Sequence, residues 1–220
     1  MSPSFESLFQ RHIALSWEKQ MALQQWAADL DWGFDMDAGE LELSDGTTWN
    51  VQILGTESEA SQTWLWAWAN AAVDIPEELL VFAHQVEAYG KQHDIPEFVE
   101  SKVDVTVCPS SQLALIASGL CHAQAFYRCP YDGGAMYALF TDRHFPPDIR
   151  ELPHRIASTF TDLIMQIEVS NHKAAFDFYV QSHQLHRVMV GNTLRVSKAG
   201  NEILVAQFDN NNRLVHIETL

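Results

Sequence analysis

The chain has 220 residues, 47% of them hydrophobic and 19% charged, which is ample apolar content for a substantial core. Thirteen Lys and Arg against 29 Asp and Glu give a net charge of -16, and no cluster of cations could cradle a phosphate backbone, so nucleic-acid binding is excluded. No apolar run reaches the ~18 residues of a membrane span. The first residues, Met1-Ser2-Pro3-Ser4-Phe5, also lack the basic start and apolar stretch of a secretory signal, so a cytoplasmic protein is expected.

Phe5, Phe9, Ile13, Trp17 and Met21 recur at helical spacing, with Leu8 and Leu15 widening the stripe, and predict a long amphipathic helix to about Asp29. After Trp32 and Gly33 the period changes to two. Asp45-Gly46 divides Leu41 to Ser44 from Thr47 to Leu54, a hairpin signal because both turn residues tolerate positive φ. The polar run Glu57 to Gln62 leads into Thr63-Trp64-Leu65-Trp66-Ala67-Trp68-Ala69-Asn70, which alternates like a strand and completes a meander of at least three strands. Asp74-Ile75-Pro76-Glu77-Glu78 reads as a helix start with Leu79, Phe82, Val86 and Tyr89 on its buried side. Gly90 and Pro96 suggest a break and a short helix near Glu97 to Lys102. A further helix follows Pro109, and the whole stretch reads as helical.

A second hairpin is expected from His122 to Arg128 and Ala135 to Thr141 around Tyr131-Asp132-Gly133-Gly134. Phe145-Pro146-Pro147-Asp148 breaks the chain before a helix with Ile156, Phe160, Leu163 and Ile167 on one face. Another helical stretch carries Phe176, Tyr179, Val180 and His183. The end reads as a meander, Thr193 to Ser197, Glu202 to Asp209 and Arg213 to Glu218, divided by Lys198 to Asn201 and Asn210 to Asn212. Strands and helices in blocks predict an α+β fold, an antiparallel sheet of meanders and hairpins packed against several amphipathic helices. No Pro-, Gly- or Ser-rich linker and no repeat interrupts residues 1–220, so a single domain is expected.

Signatures of catalysis are sparse. Phosphate loop, dinucleotide fingerprint and nucleophile elbow are all missing from the sequence. Among ten histidines three local groupings place ligand-type residues at helical spacing: His84 with Glu87, Glu151 with His154, and His183 with His186. Pro153 and the helix ends favour surface and capping roles for them over a metal site, so neither metal nor cofactor is expected. Cys108, Cys121 and Cys129 lack Cys-x-x-Cys spacing and are expected as reduced thiols, more often buried and inert than nucleophilic.

The tryptophan strand has two readings. Trp64, Trp66 and Trp68 on one face and Leu65, Ala67 and Ala69 on the other make both faces apolar, as in the middle of a covered sheet. The same indoles, with the amide of Asn70 beyond them, could instead line a cleft and stack on a ring-shaped ligand. Asn70 itself is expected to pin the following turn.

Leu54-Gly55-Thr56 followed by Trp64-Leu65-Trp66-Ala67-Trp68-Ala69-Asn70 resembles a bacterial domain-of-unknown-function family whose members carry Leu-Gly-Thr before a Trp-x-Trp-x-Trp-Ala-Asn strand. The resemblance implies that this hairpin defines the domain and implies no catalytic residues. Together these features lead to the expectation of a non-enzymatic protein that binds a basic partner protein, as immunity-type proteins do, or a small ligand. The alternative is a hydrolase or metal-dependent enzyme assembled from scattered His, Asp and Glu.

Overall fold

The apolar stripe that begins at Phe5 is the buried side of helix α1 (Pro3–Ala27), with Phe5, Phe9 and Ile13 removed from solvent. The computed structural model describes residues 2–27, 29–142 and 150–220, so the expected break at Phe145-Pro146-Pro147-Asp148 lies outside the described residues. Two compact units make up the chain: Met1–Phe9 with Ala22–Pro146, and Gln10–Met21 with Pro147–Leu220. The fold is α+β, with six helices and antiparallel sheets of seven and four strands among the described residues.

The first unit holds the seven-stranded sheet: β1 (Trp32–Asp35), β2 (Glu40–Leu43), β3 (Thr48–Ser58), β4 (Thr63–Trp66), β5 (Lys102–Asp104), β6 (Phe126–Tyr131) and β7 (Gly134–Phe140). Its hub is the 11-residue β3, which pairs β2 through Thr48 to Asn50, β4 through Gly55 to Ser58, and β7 along Val51 to Ser58. The two expected hairpins are present. Gly46 takes φ +85° while the Asp45 carboxylate accepts from the Thr47 N–H at 2.9 Å, and Gly133 takes φ +83° in the turn between β6 and β7.

Between Asp74 and Leu120 three elements depart from the sequence reading. The segment that begins at Asp74 forms a 3-10 turn at Glu77–Leu79, and helix α2 (Val81–His93) starts only after it. Gly90 lies inside α2 because a Cβ there would stand 2.5 Å from Phe98 Cβ on helix α3 (Pro96–Val99); the helix ends at Asp94, in the left-handed region at φ +54°. The stretch read as helical throughout also contains β5, ahead of helix α4 (Ser110–Leu120).

In the second unit, helices α5 (Leu152–Gln166) and α6 (His172–Ser182) accompany the sheet β11-β10-β9-β8, formed by β8 (His186–Val190), β9 (Thr193–Lys198), β10 (Asn201–Phe208) and β11 (Leu214–Thr219). The Asn171 side chain caps α6 by accepting from the Ala174 N–H at 3.0 Å. The rings of Phe160 and Phe176 meet at 4.8 Å and those of Phe176 and Phe208 at 6.2 Å, joining helices to sheet. Between β10 and β11 the Asp209 carboxylate accepts from the N–H groups of Asn211 and Arg213, both at 2.8 Å, and closes the Asn-rich turn.

Candidate functional site

Register decides where the tryptophans go. Trp66 stands opposite Gly55, and Gly55 opposite Tyr137, so Trp64, Trp66 and Tyr137 share one face of the sheet. On that face Trp64 meets Trp66 at 5.3 Å and Tyr137 at 5.1 Å, and Trp66 meets Phe98 at 5.9 Å, all edge to face. Both indoles are 0% exposed, and the Trp66 indole N–H donates to the Glu97 carbonyl at 3.0 Å. Strand β4 ends at Trp66. Trp68 therefore leaves the stripe: it lies in a 3-10 turn, Ala67–Ala69, half-buried against the cluster of Ile53, Ala67, Leu79, Leu80 and Ala83.

The other face of the same strands carries Thr56 opposite Met136 and helps form a cleft of about 410 Å³. Trp32, Phe34 and Met36 alternate along β1 and beyond it to supply one wall. Ile53 and Met136 come from β3 and β7, Ala72, Val73 and Ile75 from the loop after Asn70, and Tyr131 from the end of β6. Phe34, Met36, Ile75 and Met136 also pack on the cluster that holds Trp68, so that indole stands behind the cleft while Asn70 lines it. The Asn70 side-chain oxygen accepts from the Ala72 N–H at 3.1 Å, pinning the turn.

Asn70 offers an amide, Thr56 and Tyr131 offer hydroxyls and Trp32 an indole N–H, and the lining contains no carboxylate, imidazole, thiol or amine. This is the composition of a site that binds through burial of apolar surface, with a few polar groups to orient the occupant. Of the residues expected to hold a ligand, the structure brings Asn70 to the cleft, sets Trp68 behind it, and places Trp64 and Trp66 in the core on the opposite face. The β1 wall is missed by the sequence reading, although its period-two alternation is visible there.

None of the histidines in the three groupings lines the cleft. His84 lies 3.6 Å from both Glu77 and Glu87 on an exposed helix face, His183 closes α6, and His186 has moved onto β8 beside Ser197. Among the described residues no three His, Cys, Asp or Glu side chains are grouped to hold a metal ion. The three thiols are free and buried, and burial pushes each up to about 12, so none is a thiolate nucleophile near neutral pH.

Among the described residues of the second unit an ionisable cluster is buried. Glu18 accepts a short hydrogen bond from the Tyr179 hydroxyl, and its carboxylate lies 3.0 Å from His183 Nε2 and 3.4 Å from Arg155 Nε. Burial alone would raise the Glu18 carboxyl, but the contacts with His183 and Tyr179 and the nearby Arg155 charge outweigh it and hold the group below its ordinary value. Burial and then Glu18 push Tyr179 well above the usual tyrosine range. A shallow concavity of the same unit, lined by Met21, Ala157, Ser158, Thr161, Asp162 and Met165, includes none of these four groups. The cluster joins Glu18 of α1 to Arg155 of α5 and to Tyr179 and His183 of α6 and its cap, and has the character of a structural tie.

Fold and site define an acidic α+β protein with clustered tryptophans and an apolar cleft. The chain belongs to the family of unknown function DUF6882, whose model matches residues 6–143, a span that contains every residue lining the cleft. No curated protein and no solved structure is significantly similar to it. Among the described residues no helix is long and apolar enough to cross a membrane.

Proposed function

We propose that this is a non-enzymatic binding domain of a cytoplasmic bacterial protein, which captures a partner protein or a small ligand at the apolar cleft of the first unit without transforming it. The observation that carries the reading is the lining itself: large apolar side chains from five segments of chain converge on about 410 Å³, with Asn70 and Thr56 as orienting groups. The charge of -16 favours a basic partner, in the manner of immunity-type proteins. In this reading Leu54-Gly55-Thr56 and the tryptophan hairpin mark the family because Trp64 and Trp66 hold the sheet whose opposite face forms the cleft.

Nile red, an uncharged dye that brightens in apolar surroundings, tests the site. The intact protein should bind it, and Ala72→Trp at the exposed lip should abolish binding while leaving the far-ultraviolet circular dichroism unchanged. No dye binding, or equal binding by the variant, would sink the reading. An enzyme assembled from scattered His, Asp and Glu has less support, since no His, Asp or Glu side chain lines the cleft. Stoichiometric metal in protein purified without an affinity tag would restore that alternative.

A further inference from the structure

We propose that the cleft takes an uncharged small molecule, one that sets a ring against its apolar walls and presents a hydrogen-bond acceptor such as a carbonyl oxygen to Asn70. The inference rests on the cleft being a binding site and narrows its occupant to one chemical class. Trp32, Phe34 and Tyr131 bring rings to the lining, and Met36 and Met136 bring thioethers that pack well on an aromatic occupant and adapt to its outline. A volume of about 410 Å³ falls within the range of small-molecule sites.

The polar groups of the lining say what else the occupant must carry. The Ala72 N–H lies 3.1 Å from one atom of the Asn70 amide, which must be the oxygen because a donor needs an acceptor. The amide nitrogen is what remains to be offered. Among the described residues no hydrogen bond engages it, the Trp32 indole N–H, or the hydroxyls of Thr56 and Tyr131. On Trp32, Thr56 and Asn70, all half-buried, these atoms keep access to solvent. Asn70 and Trp32 can only donate, while the two hydroxyls can also accept. Donor groups thus outnumber acceptor groups among the lining side chains. A pure hydrocarbon would strip them of water without replacement, whereas a carbonyl oxygen takes over the lost bond.

Charge of either sign is disfavoured. Among the described residues no ionised side chain lines the cleft. An anion would give up its hydration with no cation to replace it, on a chain of net charge -16. A cation would find no carboxylate, and the side-chain amide oxygen already holds the Ala72 N–H. A sugar adds a donor with every hydroxyl, where donors are already in surplus. An uncharged ring that carries an acceptor avoids all of these costs.

Competition with Nile red on the intact protein tests this with four naphthalenes of similar size, all substituted at the β position: acetylnaphthalene, ethylnaphthalene, naphthoate and naphthylmethylammonium. The ketone should compete, and both ions should bind at least about tenfold more weakly than it does. Asn70→Asp keeps an oxygen for the Ala72 N–H and replaces the free amide nitrogen by a second oxygen. The affinity of the ketone relative to the hydrocarbon should then fall roughly tenfold. Should that variant misfold, the infrared carbonyl stretch of the ketone bound to the wild type must lie below its position in hexane, as a hydrogen bond requires.

Binding of either ion as tightly as the ketone overturns the proposal. So does a ketone-to-hydrocarbon ratio that a folded Asn70→Asp leaves unchanged, or a carbonyl stretch unshifted from hexane. If none of the four displaces bound Nile red, the small-molecule class is wrong and the apolar cleft stands as a site for a protein partner. If Nile red itself does not bind, the broader reading fails as well.

Discussion

A methyl group at position 55 has nowhere to go. It would stand 2.5 Å from Trp64 Cζ2 and 2.6 Å from the Leu65 carbonyl oxygen, so Gly55→Ala must push β4 away from β3. We expect a loss of about 3 kcal/mol in urea unfolding. Gly33→Ala, whose Cβ meets nothing within 4 Å, serves as the control and should change little. Trp66→Phe removes the indole donor from the Glu97 carbonyl as well as ring area, for an expected cost of about 2 kcal/mol. The cysteines give a prediction of the opposite kind. With all three thiols pushed to about 12, a disulfide reagent at pH 8 should label none until the protein unfolds. Rapid labelling of the native protein would contradict the buried placement.

At the scale of elements, the Glu18 cluster ties the middle of α1 to α5 and α6 inside the second unit, and it makes stability depend on acid. The folded Glu18 carboxyl titrates below its ordinary 4.5, so its contribution is present above that pH and is lost as pH falls through the folded value. His172, lowered from 6.5 by burial and by Arg213, acts in the same direction. It favours the folded state fully above 6.5, and less as protonation of the unfolded chain begins below it. Stability should therefore decline in two stages on acidification. Glu18→Gln should flatten the lower stage, and an unchanged acid limb in that variant would refute the assignment.

Which elements were legible follows from their length. α1, the Asp45-Gly46 hairpin, α4, α6 and the closing meander repeat their apolar pattern often enough to fix a period. β5 has three residues and no period at all. β8, His186 to Val190, keeps Val188, Met189 and Val190 exposed on an outer strand and so lacks alternation. Trp68 continues a flawless strand pattern, yet the backbone turns beneath it, because pairing of β4 with β3 stops at Gly55 opposite Trp66. Gly90 looks like a break to sequence because a glycine needed for close approach and one needed for a turn are the same letter. Of the cleft, Asn70 was legible as a polar group after an apolar run. Its remaining walls join residues 32 to 136, and no spacing rule connects segments so far apart.

For the whole molecule, a charge of -16 implies self-repulsion that salt should relieve. Raising sodium chloride from 10 to 200 mM at pH 7 should lift the melting temperature by about 3 °C, and a decrease would mean that attractive pairs dominate. The sheet hub has a consequence in time. β3 finds β4 within a few residues, but its other edge waits for β7, whose partners lie 76 residues (Ser58 to Gly134) to 89 residues (Val51 to Phe140) further along the chain. Long-range pairing of this kind is slow. While the protein is being made, an 11-residue strand carrying Trp49, Val51, Ile53 and Leu54 is thus complete with one border open. Vectorial synthesis makes this border the place where a chaperone, or a second nascent chain, has its opportunity before β7 arrives.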